Sequence, residues 1–232
     1  MSRLHIFGGS PSEPGYHVDP IDSWWGLTSL YLNLPVNNYA YAGCSIDSIV
    51  HIIISNPEFF SKDDILFVVV PPIDRLPYFV GEEAKTRNFK IFTHKMIQTD
   101  DCTIPNYAGM NESGGLDTYG TEVVAKLSWS WREAQIIRDM LMLDSWLKKR
   151  IKQFYVLNCT VPFQPLTNWP TLHSLQQQMF ATERMLLTED TMASVNENIN
   201  KPVDFDTYGW LGHHGIAGNQ LWFRTIKEKL KL

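Results

Sequence analysis

Asp63-Asp-Ile-Leu-Phe-Val-Val-Val-Pro-Pro72 is the stretch that decides the fold. Its apolar core, Ile65 to Val70, is continuous and rich in β-branched residues, and it is bounded by paired acids and paired prolines. It is too short for an amphipathic helix and shows no alternation, so it reads as a strand buried on both faces. Strands of that kind belong to parallel sheets covered by helices on each side. Working outward, Leu4-His-Ile-Phe7 is a second apolar segment, cut off by Gly8-Gly9. Gln153-Phe-Tyr-Val-Leu-Asn158 is a third, and Val36-Asn-Asn-Tyr39, between Pro35 and Gly43, is a weaker fourth.

Helical patterns lie between these segments. Asp22 or Ser23 is placed to cap a helix from Trp24 to Leu34. Ser45 is placed to cap another from Ile46 to Ser55, with Asp47 in the first turn where the helix dipole favours a carboxylate. From about Gly120 to Arg150, Val124, Leu127, Trp131, Ile136, Met140, Leu143 and Leu147 recur at helical spacing, and Lys148-Lys-Arg150 suits a C-terminus. Further helices are predicted from His173 to Leu187 and from about Ile216 to Leu230. Alternating strands and helices predict an α/β sandwich with a mostly parallel sheet, and residues 1–232 read as a single domain. The stretch 77–118 breaks the rhythm with scattered Gly, Asn, Asp and Thr. It reads as an insertion over one end of the sheet, a lid or a structural flap, with a small hairpin around Asn88 to His94.

Composition narrows the function. Lys plus Arg number 20 against 25 Asp plus Glu, a net charge of −5 that supplies no electrostatic footprint for nucleic acid or an anionic membrane. The longest apolar run falls far short of the roughly 18 residues that span a bilayer, so no membrane span is expected. The apolar stretch at the N-terminus is too short for a signal-peptide core. A cytoplasmic protein is expected, and incorporation into a particle is compatible with the sequence. Cys44, Cys102 and Cys159 are widely separated and odd in number, which favours free thiols over a disulfide framework or a zinc site. No metal-ligand motif occurs, and no cofactor is expected.

Candidate chemistry sits where strands end. In an open parallel sheet the site lies beyond the carboxyl ends of the strands, and Ser10 comes directly after the first strand, behind a glycine pair that lets the backbone turn sharply. By itself such a serine is more often a turn or cap residue. Leu211-Gly-His-His-Gly-Ile-Ala-Gly218 puts two histidines in a Gly-rich turn before the last helix, where one can act as a general base toward a serine. Asn38-Tyr-Ala-Tyr-Ala-Gly-Cys-Ser-Ile-Asp47 ends the second strand with Gly43 before a helix, where free backbone N–H groups can stabilise an oxyanion or the glycine can simply serve the turn. No G-x-S-x-G elbow, G-x-G-x-x-G or Walker A loop is present.

With those residues in view, the chain resembles the SGNH, or GDSL-like, hydrolases, a flavodoxin-like α/β/α family of esterases, lipases and carbohydrate deacetylases. Phe7-Gly-Gly-Ser10 resembles the family's first block, and Val18-Asp-Pro-Ile-Asp-Ser-Trp24 the segment that often comes after it. Asn38 to Ser45 resembles the second block, and His213-His-Gly-Ile-Ala-Gly218 the last. The resemblance implies Ser10 as nucleophile, His213 as base, and the Ser10 and Gly43 amides as oxyanion donors. His214 fits the position after the base, commonly proline in the family, and is the alternative base and a candidate for the substrate-site rim.

Three departures accompany the match. Gly9 stands where the first block usually has Asp. The third block, normally Gly-x-Asn-Asp, is Pro71-Pro-Ile-Asp74-Arg75, so Ile73 replaces the asparagine that would be a third oxyanion donor. Asp74 and Arg75 are candidate rim residues, as a solvated or rim ion pair or with Arg75 binding an anion. Trp210 occupies the place of the last block's carboxylate, leaving Asp206, Asp204 or a backbone carbonyl to orient the imidazole. The resemblance implies hydrolysis of a small-molecule or glycan ester, including an O-acetyl carbohydrate, through an acyl-enzyme. The departures point to the alternative, an inactive SGNH-fold binding or structural component with an oligomer or assembly partner.

Overall fold

The computed structural model describes residues 1–14, 18–41, 44–71, 76–77, 90–93, 95–98, 106–107, 129–151, 153–158, 170–180, 185–187 and 215–230. In chain order the elements are β1 (Leu4–Phe7), α1 (Trp24–Leu32), β2 (Val36–Asn38), α2 (Ile46–Ser55), β3 (Ile65–Val70), β4 (Leu76–Pro77), β5 (Lys90–Thr93), β6 (Lys95–Gln98), β7 (Asn106–Tyr107), α3 (Trp129–Leu147), β8 (Gln153–Asn158), α4 (Pro170–Phe180), β9 (Met185–Leu187) and α5 (Ile216–Leu230). Short 3-10 turns at Ser10–Ser12, Pro20–Asp22 and Pro57–Phe59 punctuate the N-terminal part. No helix among the described residues is long and apolar enough to cross a membrane.

The main sheet has the order β6-β5-β2-β1-β3-β8-β9. The run β2-β1-β3-β8-β9 is parallel throughout, which is the flavodoxin-like winding expected from the sequence. Strand alternation divides the core in two. Leu4, Ile6, Phe67 and Val69 face α1 and α5, where they meet Trp24, Trp25, Trp222 and Ile226. Phe7, Leu66, Val68 and Val70 face α2 and α3, where they meet Ile46, Ile49, Ile53, Ile136, Met140 and Leu143. Three layers result, with the sheet in the middle.

Local chemistry sets the helix ends. Ser23 caps α1 by accepting from the Gly26 amide at 3.0 Å, and its own hydroxyl donates to the Pro20 carbonyl at 2.6 Å. That carbonyl leans so closely over the first turn that a Cβ at Gly26 would lie 1.8 Å from it. α1 ends at Leu32, two residues short of the predicted boundary at Leu34, and Asn33 caps it in the left-handed region at φ 53°. Ser45 caps α2 through the Ser48 amide, with Asp47 in the first turn, over the range read from the sequence. The predicted helix from Gly120 to Arg150 is observed as α3; residues 120–128 lie outside the described ones.

Two readings needed correction. The helix expected from His173 to Leu187 spans Pro170–Phe180, and Met185–Leu187 is instead a strand paired parallel with β8. A three-residue Met-Leu-Leu segment fits the apolar face of a helix equally well, and only the open edge of β8 selects the strand. Within 77–118, the hairpin expected around Asn88 to His94 is observed as the strands Lys90–Thr93 and Lys95–Gln98, extending past His94, and the first pairs antiparallel with β2 through Asn38 and Phe92. At least this part of the excursion widens the sheet and covers the β2 edge. β4 and β7 form a separate antiparallel pair.

A buried polar pair anchors the amino edge of the sheet. His5 lies in β1, and its Nε2 is 3.0 Å from the carboxylate of Asp64, the residue before β3. Asp64 also accepts from the Arg3 and Ser61 amides at 2.8 and 2.6 Å. Burial pushes His5 below its ordinary 6.5, and the hydrogen bond and charge of Asp64 offset only part of that shift. Burial would raise the Asp64 carboxyl, but the Ser61 and Arg3 amides and the His5 ring outweigh it and hold it below 3.8. Between the folded and unfolded pKa values of His5 the unfolded chain binds the extra proton, so stability is complete above pH 6.5 and falls as the pH drops below it. The Asp64 contribution is present above 3.8 and is lost only further down. Urea midpoints between pH 8 and pH 5 are expected to fall with acid in the wild type and to fall less in His5→Gln, which can still donate to Asp64 but binds no proton. Equal slopes would remove His5 as the source.

Candidate active site

A parallel sheet wound in this order opens a crevice at the carboxyl ends of its strands, at the switch point between β1 and β3. β1 ends at Phe7, level with Val68, while β3 continues to Val70, level with Asn158 at the end of β8. The chain leaving β1 must therefore slide past β3. A Cβ at Gly8 would lie 2.9 Å from Val69 Cβ and 3.1 Å from Ser12 Oγ, which is why glycine stands there. Beyond it the Ser12 amide donates to the Gly9 carbonyl at 2.9 Å and closes the Ser10–Ser12 turn. Ser10 thus opens the first turn beyond the central strand.

The connection from β2 to α2 is laid along that turn. The Tyr39 amide donates to Ile6 O at 2.8 Å and the Tyr41 amide to Gly8 O at 3.1 Å. The buried Cys44 thiol donates to the same Gly8 carbonyl at 2.9 Å. Residues on both sides of Gly43 are therefore fastened to the exit of β1. Asn38, also buried, donates through Nδ2 to Ser12 O at 2.7 Å and accepts the Ala40 amide on Oδ1 at 2.8 Å. Tyr39 stacks on Phe7 with ring centroids 4.5 Å apart. Burial, opposed by a hydrogen bond with Asn37, pushes its hydroxyl up to about 12, so at neutral pH it is a phenol and no general base.

A third arm comes from the C-terminal helix. Gly215 is buried, and its carbonyl accepts from both the amide and the Nδ2 of Asn219, at 3.1 and 3.0 Å. Asn219 Oδ1 accepts the Trp24 amide at 3.0 Å, satisfying one of the unpaired donors of the α1 N-terminus. The segment immediately after His213-His214 is thus tied to α1.

Of the residues singled out from the sequence, the structure places the Ser10 backbone as described. Gly43, Asp74, Arg75, Asp206, His213 and His214 lie outside the described residues, as do Ile73, Asp204 and Trp210. What the structure brings together are the turn after β1 and the two flanks of Gly43, while the start of α5 is fastened to α1. No group of three or more His, Cys, Asp or Glu side chains among the described residues is arranged to hold a metal ion. Sequence reasoning missed the bridging roles of Asn38 and Asn219. It also passed over Asn158, a buried polar residue ending an apolar strand at the edge where the site lies. A polar residue at the carboxyl end of a buried strand is the same signal that marks Ser10, and it was there to be read for Asn158; nothing in the sequence announces a bridge.

The fold built around these arms has known counterparts. It is similar to a member of the lipolytic protein G-D-S-L family from Veillonella parvula, with a TM-score of 0.53 at 10% identity over 98% of this chain and 97% of that one. It is also similar to an alpha/beta hydrolase enzyme from the metagenome of Lake Arreo, Spain, with a TM-score of 0.51 at 12% identity over 99% of this chain and 95% of that one. No family model matches the sequence, and no curated protein does. The likeness lies in the fold, and it is the SGNH hydrolase fold that the sequence resembles.

The Asn219 bridge can be tested without activity. Asn219→Leu keeps the bulk but leaves the Trp24 amide and Gly215 carbonyl without the side-chain partner, a loss of about 1–3 kcal/mol. Thermal unfolding should show a Tm lower by about 5 °C for a chain of this size. An unchanged Tm would mean that the bridge adds nothing to the α1–α5 packing.

Proposed function

We propose that the protein is a serine hydrolase of carboxylic esters, working through an acyl-enzyme in the manner of the SGNH hydrolases. The observation that carries this reading is the position of Ser10, which opens the turn beyond the central strand at the switch point of the sheet. The β2–α2 connection is fastened to the same turn. In this reading His213 takes the Ser10 proton as Oγ attacks the ester carbonyl. The amides of Ser10 and Gly43 donate to the oxyanion that forms. The tetrahedral species collapses as His213 returns the proton to the departing alkoxide, leaving an acyl-Ser10 ester. Water, deprotonated by the same histidine, attacks that ester and releases the carboxylic acid and free serine. Asp206 holds the imidazole in the tautomer the transfer requires. His214, Asp74 and Arg75 stand at the rim, and the 77–118 excursion shapes the acyl site.

A second reading is favoured by one observation, Ile73 in place of the third oxyanion donor. Loss of one such donor costs about 100- to 1,000-fold in rate, enough for a binding or structural role to have displaced catalysis.

Turnover of p-nitrophenyl acetate and butyrate separates the two. Wild type is expected to hydrolyse at least one ester and to be labelled by a fluorophosphonate probe, and Ser10→Ala and His213→Ala to lose about 1,000-fold or more in kcat. Hydrolysis undiminished in Ser10→Ala would sink the assignment. A wild type that is inert and unlabelled would establish the binding reading instead.

A further inference from the structure

We infer that Asn38 is a positioning residue for the hydrolysis, setting the nucleophile turn against the oxyanion loop through the two edges of its side-chain amide. The inference rests on the proposed hydrolase reading and goes beyond it, since Asn38 touches neither substrate nor reacting atoms.

Asn38 ends β2, in register with Ile6 of β1, and is 2% exposed. Its Nδ2 reaches across to Ser12 O at 2.7 Å, inside the turn that Ser10 opens. Its Oδ1 accepts the Ala40 amide at 2.8 Å, at the start of the connection that carries Gly43. One planar group therefore holds a donor on the nucleophile's side and an acceptor on the oxyanion donor's side. The ties from Tyr39 N, Tyr41 N and Cys44 Sγ end on Ile6 O and Gly8 O, upstream of the turn. They fix where the loop begins, and the Asn38 bond to Ser12 O reaches the far end of the serine turn.

The chemistry of the amide explains why no near relative would serve. Aspartate keeps an acceptor for the Ala40 amide but has no donor for Ser12 O and sets a carboxylate oxygen against a carbonyl. Serine lacks the reach. Glutamine has the two edges but an extra methylene in a buried, filled position. Positioning of this kind matters because the Ser10 Oγ and the Gly43 amide must meet the same carbonyl group, and a misplacement of about 1 Å costs on the order of 100-fold in rate.

Asn38→Asp isolates the arm to Ser12, and Asn38→Ser is the milder second variant should the first not fold. Wild type, both variants, Ser10→Ala and the core control Ile136→Val are compared at 25 °C for p-nitrophenyl ester kcat and KM, for the rate of fluorophosphonate labelling and for Tm. The expected result is a kcat for Asn38→Asp lower by about 100-fold, a KM within about threefold, and a labelling rate that falls in parallel with kcat. Ile136→Val should lose Tm without that loss of kcat. A folded Asn38→Asp or Asn38→Ser whose kcat and labelling rate stay within threefold of an active wild type would overturn the inference and leave the hydrolase reading standing. Loss of kcat in Ile136→Val to the same degree would also overturn it, by making the effect one of stability. A wild type that is neither active nor labelled would overturn both.

Discussion

β1 has no free side. Its backbone pairs with β2 on one edge and β3 on the other, and all four of its side chains are buried between the helical layers. Only a short segment without charge or bulk at its exit can occupy such a place, and Leu4-His-Ile-Phe-Gly-Gly meets both demands. Because β1 is clamped in register with β3, the chain beyond it has one way out, across Val69. The absent side chain at Gly8 sets that path. The Ser10 turn, the carbonyl that receives Tyr41 and Cys44, and the bridge from Asn38 all depend on where β1 is held.

The two ends of the sheet divide the work. At the amino edge the His5–Asp64 pair, with the Arg3 and Ser61 amides, joins β1 to the chain entering β3. Aromatic rings of Tyr39 and Phe60 lie against the imidazole, so the pair is screened from water as well as paired. At the carboxyl edge the contacts described above run from amide to carbonyl, thiol to carbonyl, and carboxamide to both carbonyl and amide. The His5–Asp64 pair thus holds the sheet at the end opposite the edge where Ser10 stands.

Much of this was legible in the residues. Ile65 to Val70 and Leu4 to Phe7 declared themselves as strands because a continuous β-branched or apolar run between breakers has few alternatives. α2 was read to its ends because Ser45 and Asp47 act within one turn of backbone. Met185-Leu-Leu was read wrongly because its state is decided by a neighbour far away in sequence. The Ser10 turn could be placed from two glycines and a strand. The bridges of Asn38 and Asn219 could not, because a buried carboxamide looks the same in sequence whether it caps a turn, spans two loops or faces water. Those partners are set by the packing of whole layers, which no local pattern encodes.

The hydrogen bond from the Trp24 amide to Asn219 also orders events in time. The two residues are 195 positions apart, and a ribosome adding about 5–20 residues per second needs roughly 10–40 s to travel from one to the other. From the time β3 is made, the nascent chain holds α1, β1 and the Phe67 and Val69 face it packs on, but lacks α5, the helix that brings Trp222 and Ile226 to the same layer. The emerging half-sheet therefore presents an uncovered apolar face for roughly 7–30 s at that rate, the kind of surface that holding chaperones engage. Completion of the fold waits for α5 to arrive and close it.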